Sequence, residues 1–322
     1  MNLRNEISKR VAQIQHIWIG RPDHVIFFGF GIGDDLLCTA LARELKKRGA
    51  GKIVMFSKYS ALFEQNPDIS GVYDRGLQTI GRQWTWGYSG IVPQYSLYDP
   101  QTDRDNFRKE HLIATMCRIA GLTGTVGIRP YLTLLPSEKA AGELVENQIA
   151  IQSGGLGTIK NKDWFPERYQ AVVDLLKNDF GIVHLGQKTD PPLEGALDLR
   201  GKTTLRESAA ILASSRVFVG QVGFLMHLAR AVDCRSVIVY GGREEPLVSG
   251  YRENENIVGL TPCAPCWQRN KCDYGHECMR MIEPEEVIAA VRSQLKREGT
   301  LIEAEQVDLG SAPPPIDPML LN

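Results

Sequence analysis

His24-Val-Ile-Phe-Phe-Gly-Phe-Gly-Ile-Gly-Asp34-Asp-Leu-Leu-Cys-Thr-Ala-Leu-Ala-Arg-Glu-Leu-Lys-Lys-Arg48-Gly49-Ala-Gly-Lys52-Ile-Val-Met-Phe56 reads as strand, helix, strand. The apolar run His24 to Phe30 and the shorter run Lys52 to Phe56 have the length and composition of buried parallel strands. Between them Asp34 to Arg48 places Leu37, Leu41 and Leu45 at steps of four, so one helical face is apolar. Asp34 is available as an N-terminal cap, Arg43, Lys46, Lys47 and Arg48 suit the negative end of the helix dipole, and Gly49 suits a left-handed closing residue. The unit is βαβ.

A second series of the same kind begins at Gln148 to Gln152 as a strand. It continues with a helix after Pro166, strand Gly181 to Leu185, helix Leu205 to Ser214 and strand Val217 to Gly220. A helix around Leu225 to Val232, strands Ser236 to Tyr240 and Asn256 to Leu260, and helix Pro284 to Lys296 complete it. Alternation of this kind predicts an α/β fold of two Rossmann-like domains. The expected division is residues 1–147, 148–298 with a cysteine-rich knuckle, and a Pro-rich tail from 299 to 322. Between the halves, Arg75 to Arg104 reads as loops over a sheet edge, with helix Phe107 to Ala120 behind it.

With 322 residues, 43% apolar and 23% charged, the chain is long enough for two packed cores. Its 37 Lys and Arg balance 38 Asp and Glu, without the basic block a polyanion partner requires, so no nucleic-acid partner is expected. Met1 to Gln15 reads as a polar helix with Ile7, Val11 and Ile14 on one side, not as a signal peptide, and no apolar run reaches the roughly 18 residues of a membrane span. A cytoplasmic location is expected, where cysteines stay reduced.

Several motifs carry possible chemistry. Gly29-Phe-Gly31-Ile-Gly33-Asp34 sits where a strand turns into a helix, a place suited to close backbone approach and to negative charge. It is not the dinucleotide fingerprint: Asp34 replaces the third glycine, and no acidic residue ends the following strand to hold a ribose. Asp34 reads either as a base facing a hydroxyl or, like Asp35, as a helix cap. Gly201-Lys-Thr203 resembles a phosphate loop, but Ala196 stands where its first glycine belongs, which argues against an NTPase.

Cys263, Cys266, Cys272 and Cys278 place four thiols within sixteen residues, compact enough for a tetrahedral site. Zinc is the default and iron the alternative, with a structural role because four thiolates leave no open position; free or paired cysteines are the competing reading. His276 lies in the same loop. Cys38, Cys117 and Cys234 read as core residues. His227 follows Gly223 at the start of a helix, where ligands gather in α/β sheets, although a satisfied core histidine is the simpler reading. Lys160, Lys162 and Trp164 precede Pro166 at another strand-to-helix connection, as phosphate ligands or as a solvated face. Trp84, Trp86, Tyr88, Tyr95 and Tyr98, with Arg82, Arg104 and Arg108, suit sugar stacking and anion binding, or packing on their own domain.

Gly33-Asp-Asp-Leu-Leu-Cys-Thr-Ala-Leu-Ala-Arg-Glu-Leu resembles the Gly-Asp-x-Leu start of glycosyltransferase family 9, the ADP-heptose heptosyltransferases of lipopolysaccharide synthesis. Further similar segments are Lys162-Asp-Trp-Phe-Pro-Glu-Arg-Tyr, Asp198-Leu-Arg-Gly-Lys-Thr-Thr-Leu-Arg-Glu, Gly223-Phe-Leu-Met-His-Leu-Ala-Arg-Ala-Val and Val239-Tyr-Gly-Gly, and the cysteine segment resembles that of a subset of the family. The order holds from about residue 24 to 295.

The resemblance implies two Rossmann-like domains facing a cleft, the GT-B architecture, with inversion at the anomeric carbon. Asp34 would be the general base. The donor, a nucleotide-diphosphate sugar such as ADP-heptose, would be held by Ser153, Lys162, Gly186, Gln187, Gln221, Gly223 and His227, helped by helix N-termini near Gly223 and Ser153. The acceptor, a glycan, lipid-linked, protein or small-molecule hydroxyl, would meet Arg82, Trp84, Trp86 and Arg104, with peripheral contact at a membrane surface if it is lipid-linked. No catalytic metal is expected. Gln221 departs from the acidic residue that family members carry shortly before the glycine and histidine, and His227 is displaced by one position. A non-catalytic nucleotide-sugar binder and a nucleotide-sugar epimerase of similar build are the competing functions.

Overall fold

The computed structural model of the protein describes residues 22–27, 31–73, 89–91, 110–154, 159–301 and 303–311. They divide between two units, one drawn from 1–97, 112–133 and 306–322, the other from 98–111 and 134–305. The expected N-terminal helix, the ends of the expected strand His24 to Phe30 and helix Phe107 to Ala120, Gly29, and the end of the tail lie wholly or partly outside the described residues.

In the first unit β1 (His24–Phe27), β2 (Ile53–Phe56), β3 (Gly71–Tyr73) and β4 (Ser89–Ile91) form a parallel sheet in the order β3-β2-β1-β4. Phe27 stacks on Phe56 with ring centroids 4.8 Å apart. Helix α1 (Ile32–Lys47) connects β1 to β2 and is buried along most of its length, from Asp35 to Ala42 and again at Glu44 and Leu45. It begins two residues before the expected start. Gly31 takes the extended cap position, which puts Asp34 inside the first turn instead of at the cap. There its carboxylate still favours the helix through the dipole. Gly49 closes the helix with φ of 87°, as the sequence predicts.

Helix α2 (Leu112–Ile119) lies against α1. After it, β5 (Thr125–Ile128) pairs with β12 (Glu305–Asp308) in a two-stranded sheet. The start of the expected tail is therefore a strand. Residues 134–147, grouped by sequence with the N-terminal half, pack with the second unit: Glu138 of α3 (Pro136–Ala140) forms a paired contact with Arg206, whose Nε lies 2.5 Å from Oε1.

The second unit contains β6 (Ile149–Ile151), β7 (Ile182–His184), β8 (Leu197–Asp198), β9 (Val217–Gln221), β10 (Ser236–Gly241) and β11 (Glu255–Val258) in one sheet, ordered β11-β10-β9-β6-β7-β8. Every adjacent pair is parallel. Counted from the unit's first strand this is 3-2-1-4-5-6, the Rossmann order, with its reversal between β6 and β9.

Alternation along the strands sorts the faces. Ile149, Ile151, Val217, Val219, Val237 and Val239 share one cluster with Tyr169, Val172 and Val173 of α4 (Pro166–Leu176) and Val287, Ile288 and Val291 of α9 (Pro284–Lys296). Phe218, Ile238 and Tyr240 point the other way, where the Tyr240 hydroxyl meets Met226 Sδ of α6 (Phe224–Ala231) at 3.4 Å. Helix α5 (Leu205–Ser214) packs beside α6; its N-terminus is a capping box, in which Thr204 accepts from Glu207 N and Glu207 from Thr204 N. Short helix α7 (Pro246–Ser249) precedes the cysteine segment, and α8 (Glu277–Arg280) ends it and carries Cys278. Cys38, Cys117 and Cys234 are buried, as expected for core cysteines. Among the described residues no helix is long and apolar enough to cross a membrane.

Candidate functional site

Parallel strands deliver ligand-binding residues at their C-terminal ends, and in an open α/β sheet the crevice opens where the strand order reverses. In the second unit those ends are Gln152-Ser153-Gly154 after β6, Gln221-Val222-Gly223 at and after β9, Gly242-Arg243-Glu244 after β10 and Leu185-Gly186-Gln187 after β7. Every donor residue expected from the sequence except Lys162 and His227 lies on one of these ends. Those two occupy the turn before α4 and the first turn of α6.

Lys162 is not on a solvated face. Its Nζ lies 2.6 Å from Glu244 Oε1, and the two side chains are only 19% and 6% exposed. Glu244 also accepts from Arg243 Nη1 at 3.0 Å and from Ser249 Oγ at 3.1 Å. Burial alone would raise its pKa, but Lys162 and Arg243 outweigh burial and hold the carboxyl below its usual range. Glu244 is thus an ionised, fully engaged group that sequence reading missed. Its signal was positional: a carboxylate just past two glycines at the end of a central strand.

His227 is buried, with Nδ1 2.6 Å from the Tyr251 hydroxyl and the two rings edge to face. Burial, reinforced by His111 and Lys162, pushes its pKa down to about 3, so the imidazole is neutral at physiological pH. Gly223 caps α6 with extended backbone, and among the described residues nothing stands within 4 Å of where a side chain would project. That leaves open space at the helix N-terminus, where anions are favoured.

Ser153 is committed elsewhere. Its hydroxyl donates to Pro191 O at 2.5 Å and lies 2.9 Å from His184 Nε2. With its proton given to the carbonyl, Ser153 accepts from the His184 ring, which fixes the proton on Nε2. Burial lowers His184 to about 4. The helix that follows β6 in the described residues, α4, begins at Pro166 as the sequence predicts, beyond a short turn at Lys160–Lys162.

Gly186 has φ of 134°, and a side chain there would run into Asp190 Oδ2, which accepts from Gln187 N at 3.0 Å. Only glycine fits that turn.

Gln221 donates from Nε2 to Asp163 Oδ1 at 2.9 Å, while its buried Oε1 has no partner among the described residues. The contact explains the departure from the acidic pattern: a carboxylate at 221 would face Asp163, and the amide turns that repulsion into a hydrogen bond. Asp163 was a second residue missed.

In the first unit Asp34 and Asp35 part company. Asp35 is buried and accepts from Ser57 Oγ at 2.5 Å. Asp34 is half-buried at the start of α1, with Oδ2 close to the Gly31 backbone, where a Cβ would stand 3.1 Å away. Arg82, Trp84, Trp86 and Arg104 lie outside the described residues.

The four cysteines of the segment are free thiols that line one cavity of about 850 Å³ together with His276, Asn161 and Arg243. Burial raises Cys266 and Cys278 above the usual thiol value. The tetrahedral cluster expected from their spacing is not formed: among the described residues no group of three or more His, Cys, Asp or Glu is arranged to hold a metal ion. Sequence proximity brought the thiols to one cavity, but their orientation is set by the loop's hydrogen bonds. One of these runs from His276 N to Cys272 Sγ at 3.3 Å.

Residues 133–276, a span that includes every strand end described in the second unit, match the sequence model of glycosyltransferase family 9 (heptosyltransferase). A 101-residue stretch is 29% identical to lipooligosaccharide heptosyltransferase 2 of Campylobacter jejuni, covering 31% of this chain and 32% of that protein. The chain therefore spans about a third of the curated relative it matches. The fold is that of the GT-B heptosyltransferases. The ADP-heptose lipopolysaccharide heptosyltransferase II of E. coli superimposes with a TM-score of 0.66 at 16% identity, over 85% of this chain and 98% of that one. The iron-containing dodecameric glycosyltransferase TibC of enterotoxigenic E. coli gives 0.68 at 19%, over 85% and 76%, and has also been solved with ADP-D-β-D-heptose.

Proposed function

We propose that the chain is an inverting glycosyltransferase that moves a sugar from an ADP-activated donor, ADP-heptose or a related ADP-sugar, to an acceptor hydroxyl. The observation that carries the reading is the buried Lys162–Glu244 pair, which joins the turn before α4 to the loop after β10 in a Rossmann-ordered sheet, inside the segment that matches the family 9 model. A nucleoside diphosphate is doubly anionic or more. The position of Lys162 is fixed, and with Arg243 it outnumbers the single Glu244 carboxylate, so the cluster offers the diphosphate net positive charge beside the helix N-terminus at Gly223. The choice of ADP draws on TibC, which was solved with an ADP-heptose.

In the reaction the acceptor oxygen forms a bond to the anomeric carbon from the face opposite the diphosphate, and the bond from that carbon to the diphosphate oxygen breaks. Asp34 takes the acceptor's proton, and Lys162 offsets the charge that grows on the departing diphosphate. Neutral His227 adds no charge and is available for a hydrogen bond to the donor. Asp34 suits the base better than Asp35, whose carboxylate is buried against Ser57.

The cysteine segment is proposed to hold a structural zinc or iron through Cys263, Cys266, Cys272 and Cys278. The donor set is thiolate-preferring and shares one cavity, and loading would draw the thiols inward. The competing reading, a nucleotide-sugar binder without turnover, draws on Gln221, which is uncharged where the family carries an acid.

The test is release of ADP from ADP-heptose with a panel of glycan acceptors. Asp34→Asn is expected to lower turnover by about 100-fold or more while leaving ADP affinity within about twofold. A fully active Asn variant removes Asp34 from the base role, and binding without turnover for any acceptor favours the competing reading.

A further inference from the structure

The Lys162 turn and the Glu244 loop are far apart in sequence, and the cysteine segment is hydrogen-bonded to both. On one side Cys266 N donates to Gly242 O at 3.1 Å and Trp267 N to Arg243 O at 2.9 Å. Arg243 returns a bond from Nε to Gln268 O at 3.0 Å, lies over the Trp267 ring at 5.6 Å, and reaches Glu244 at 3.0 Å. On the other side Asn161 N donates to Arg269 O at 3.0 Å and Lys160 N to Asn270 Oδ1 at 2.8 Å.

Asn161, the neighbour of Lys162, is 4% exposed and uses both ends of its side chain on this segment. Nδ2 donates to Lys271 O at 2.8 Å, and Oδ1 lies 3.1 Å from His276 Nε2. Because Oδ1 can only accept, the His276 proton sits on Nε2. The Lys162–Glu244 pair closes the ring of contacts.

We infer that the cysteine segment is a clamp that sets the position of Lys162, and that Asn161 is the positioning residue through which it acts. The inference rests on the reading of Lys162 as a diphosphate-binding residue. Asn161 itself touches no substrate. Its carboxamide holds the turn at Lys160–Lys162 against the segment, so that the lysine ammonium stands beside Glu244 before any ligand arrives. A buried side chain satisfied at both ends transmits displacement, because moving either partner leaves an unpaired polar group. Opening of the cysteine loop therefore shifts Lys162 and weakens nucleotide binding.

The experiment is a double-variant cycle on the full-length protein, read by calorimetric titration with ADP, with thermal melts to confirm folding. Asn161→Ala is expected to weaken ADP about tenfold in the parent protein and less than twofold in a Lys162→Ala background, because its effect runs through that lysine. Asn161→Asp, which keeps an acceptor for His276 and loses the donor to Lys271 O, is expected to fold normally and to weaken ADP by several-fold.

Equal weakening by Asn161→Ala in both backgrounds, or no weakening by either Asn161 variant, overturns the coupling while leaving the Lys162 site intact. ADP binding unchanged by Lys162→Ala itself identifies failure of the underlying reading instead, and withdraws the inference with it. As a readout independent of ligand, mass-spectrometric acylation of Lys162 is expected to rise at least threefold in Asn161→Ala; an unchanged rate counts against the clamp.

Discussion

Replacing Lys162 by alanine separates its two roles. In the folded protein its ammonium lies 2.6 Å from the Glu244 carboxylate, which is 6% exposed. Removing one member of a buried pair strands the other charge and typically costs about 3–5 kcal/mol. Two features reduce that figure here. Glu244 keeps Arg243 at 3.0 Å and Ser249 at 3.1 Å, and Lys162 is itself 19% exposed. About 2 kcal/mol of lost stability is expected, close to a 30-fold shift in the unfolding equilibrium at ~1.4 kcal/mol per decade.

Adding Glu244→Gln to Lys162→Ala keeps an acceptor for Ser249 but takes the counter-charge from Arg243, whose side chain is 10% exposed, and should cost about 1 kcal/mol more. ADP affinity, by contrast, should fall in the single variant and stay low in the double. Hydrogen exchange over peptides covering β6, β9 and β10 reads the stability of the second unit alone. A Lys162→Ala protein within about 0.5 kcal/mol of the parent, or a double variant more stable than the single, refutes the buried-pair reasoning.

Burial depresses His111 and His184 to about 4 and His227 to about 3, below the 6.5 of a free histidine. The unfolded chain therefore binds more protons below that value, so stability is complete above pH 6.5 and falls as the pH drops from 6.5 toward 3. Urea midpoints across this range should show the decline, and a flat profile from pH 6.5 to 5 would contradict it. Gly186→Ala, at φ 134° and against Asp190, should destabilise by roughly 2 kcal/mol and loosen the Gln187 turn; a neutral melt shift would remove the strain argument. Reduced, untagged protein should carry about one zinc or iron per chain by elemental analysis, with Cys266→Ser lowering stability, and metal-free native protein would withdraw the knuckle proposal.

The regular core was legible because its signals are local. Helices Leu205–Ser214 and Pro284–Lys296 and strands such as Val217–Gln221 are bounded by caps, prolines and apolar runs that physics reads without tertiary context. Helix α1 began earlier than expected because glycine at 31 and 33 signals a loop, although either residue is tolerated at a helix start. Strand β12, Glu-Gln-Val-Asp, has no apolar alternation and exists through its pairing with β5, a contact no local pattern carries.

The site follows the same division. That Ser153, Gln221 and Gly223 belong to strand ends was readable from alternation alone. That Lys162 meets Glu244, Gln221 meets Asp163 and Asn161 meets His276 was not, since each pair joins segments distant in sequence. Thiol spacing pointed to a metal geometry, whereas the observed loop arranges its cysteines around hydrogen bonds to its neighbours.

The measurement that bears most directly on the account is calorimetric titration of the protein and of Lys162→Ala with ADP, UDP, GDP, TDP and NAD. The account predicts that ADP binds in preference to the others and that Lys162→Ala weakens it at least tenfold, the loss of one charge-assisted contact. Equal affinity for ADP in the variant, or no binding of any nucleotide to the parent protein, would contradict it.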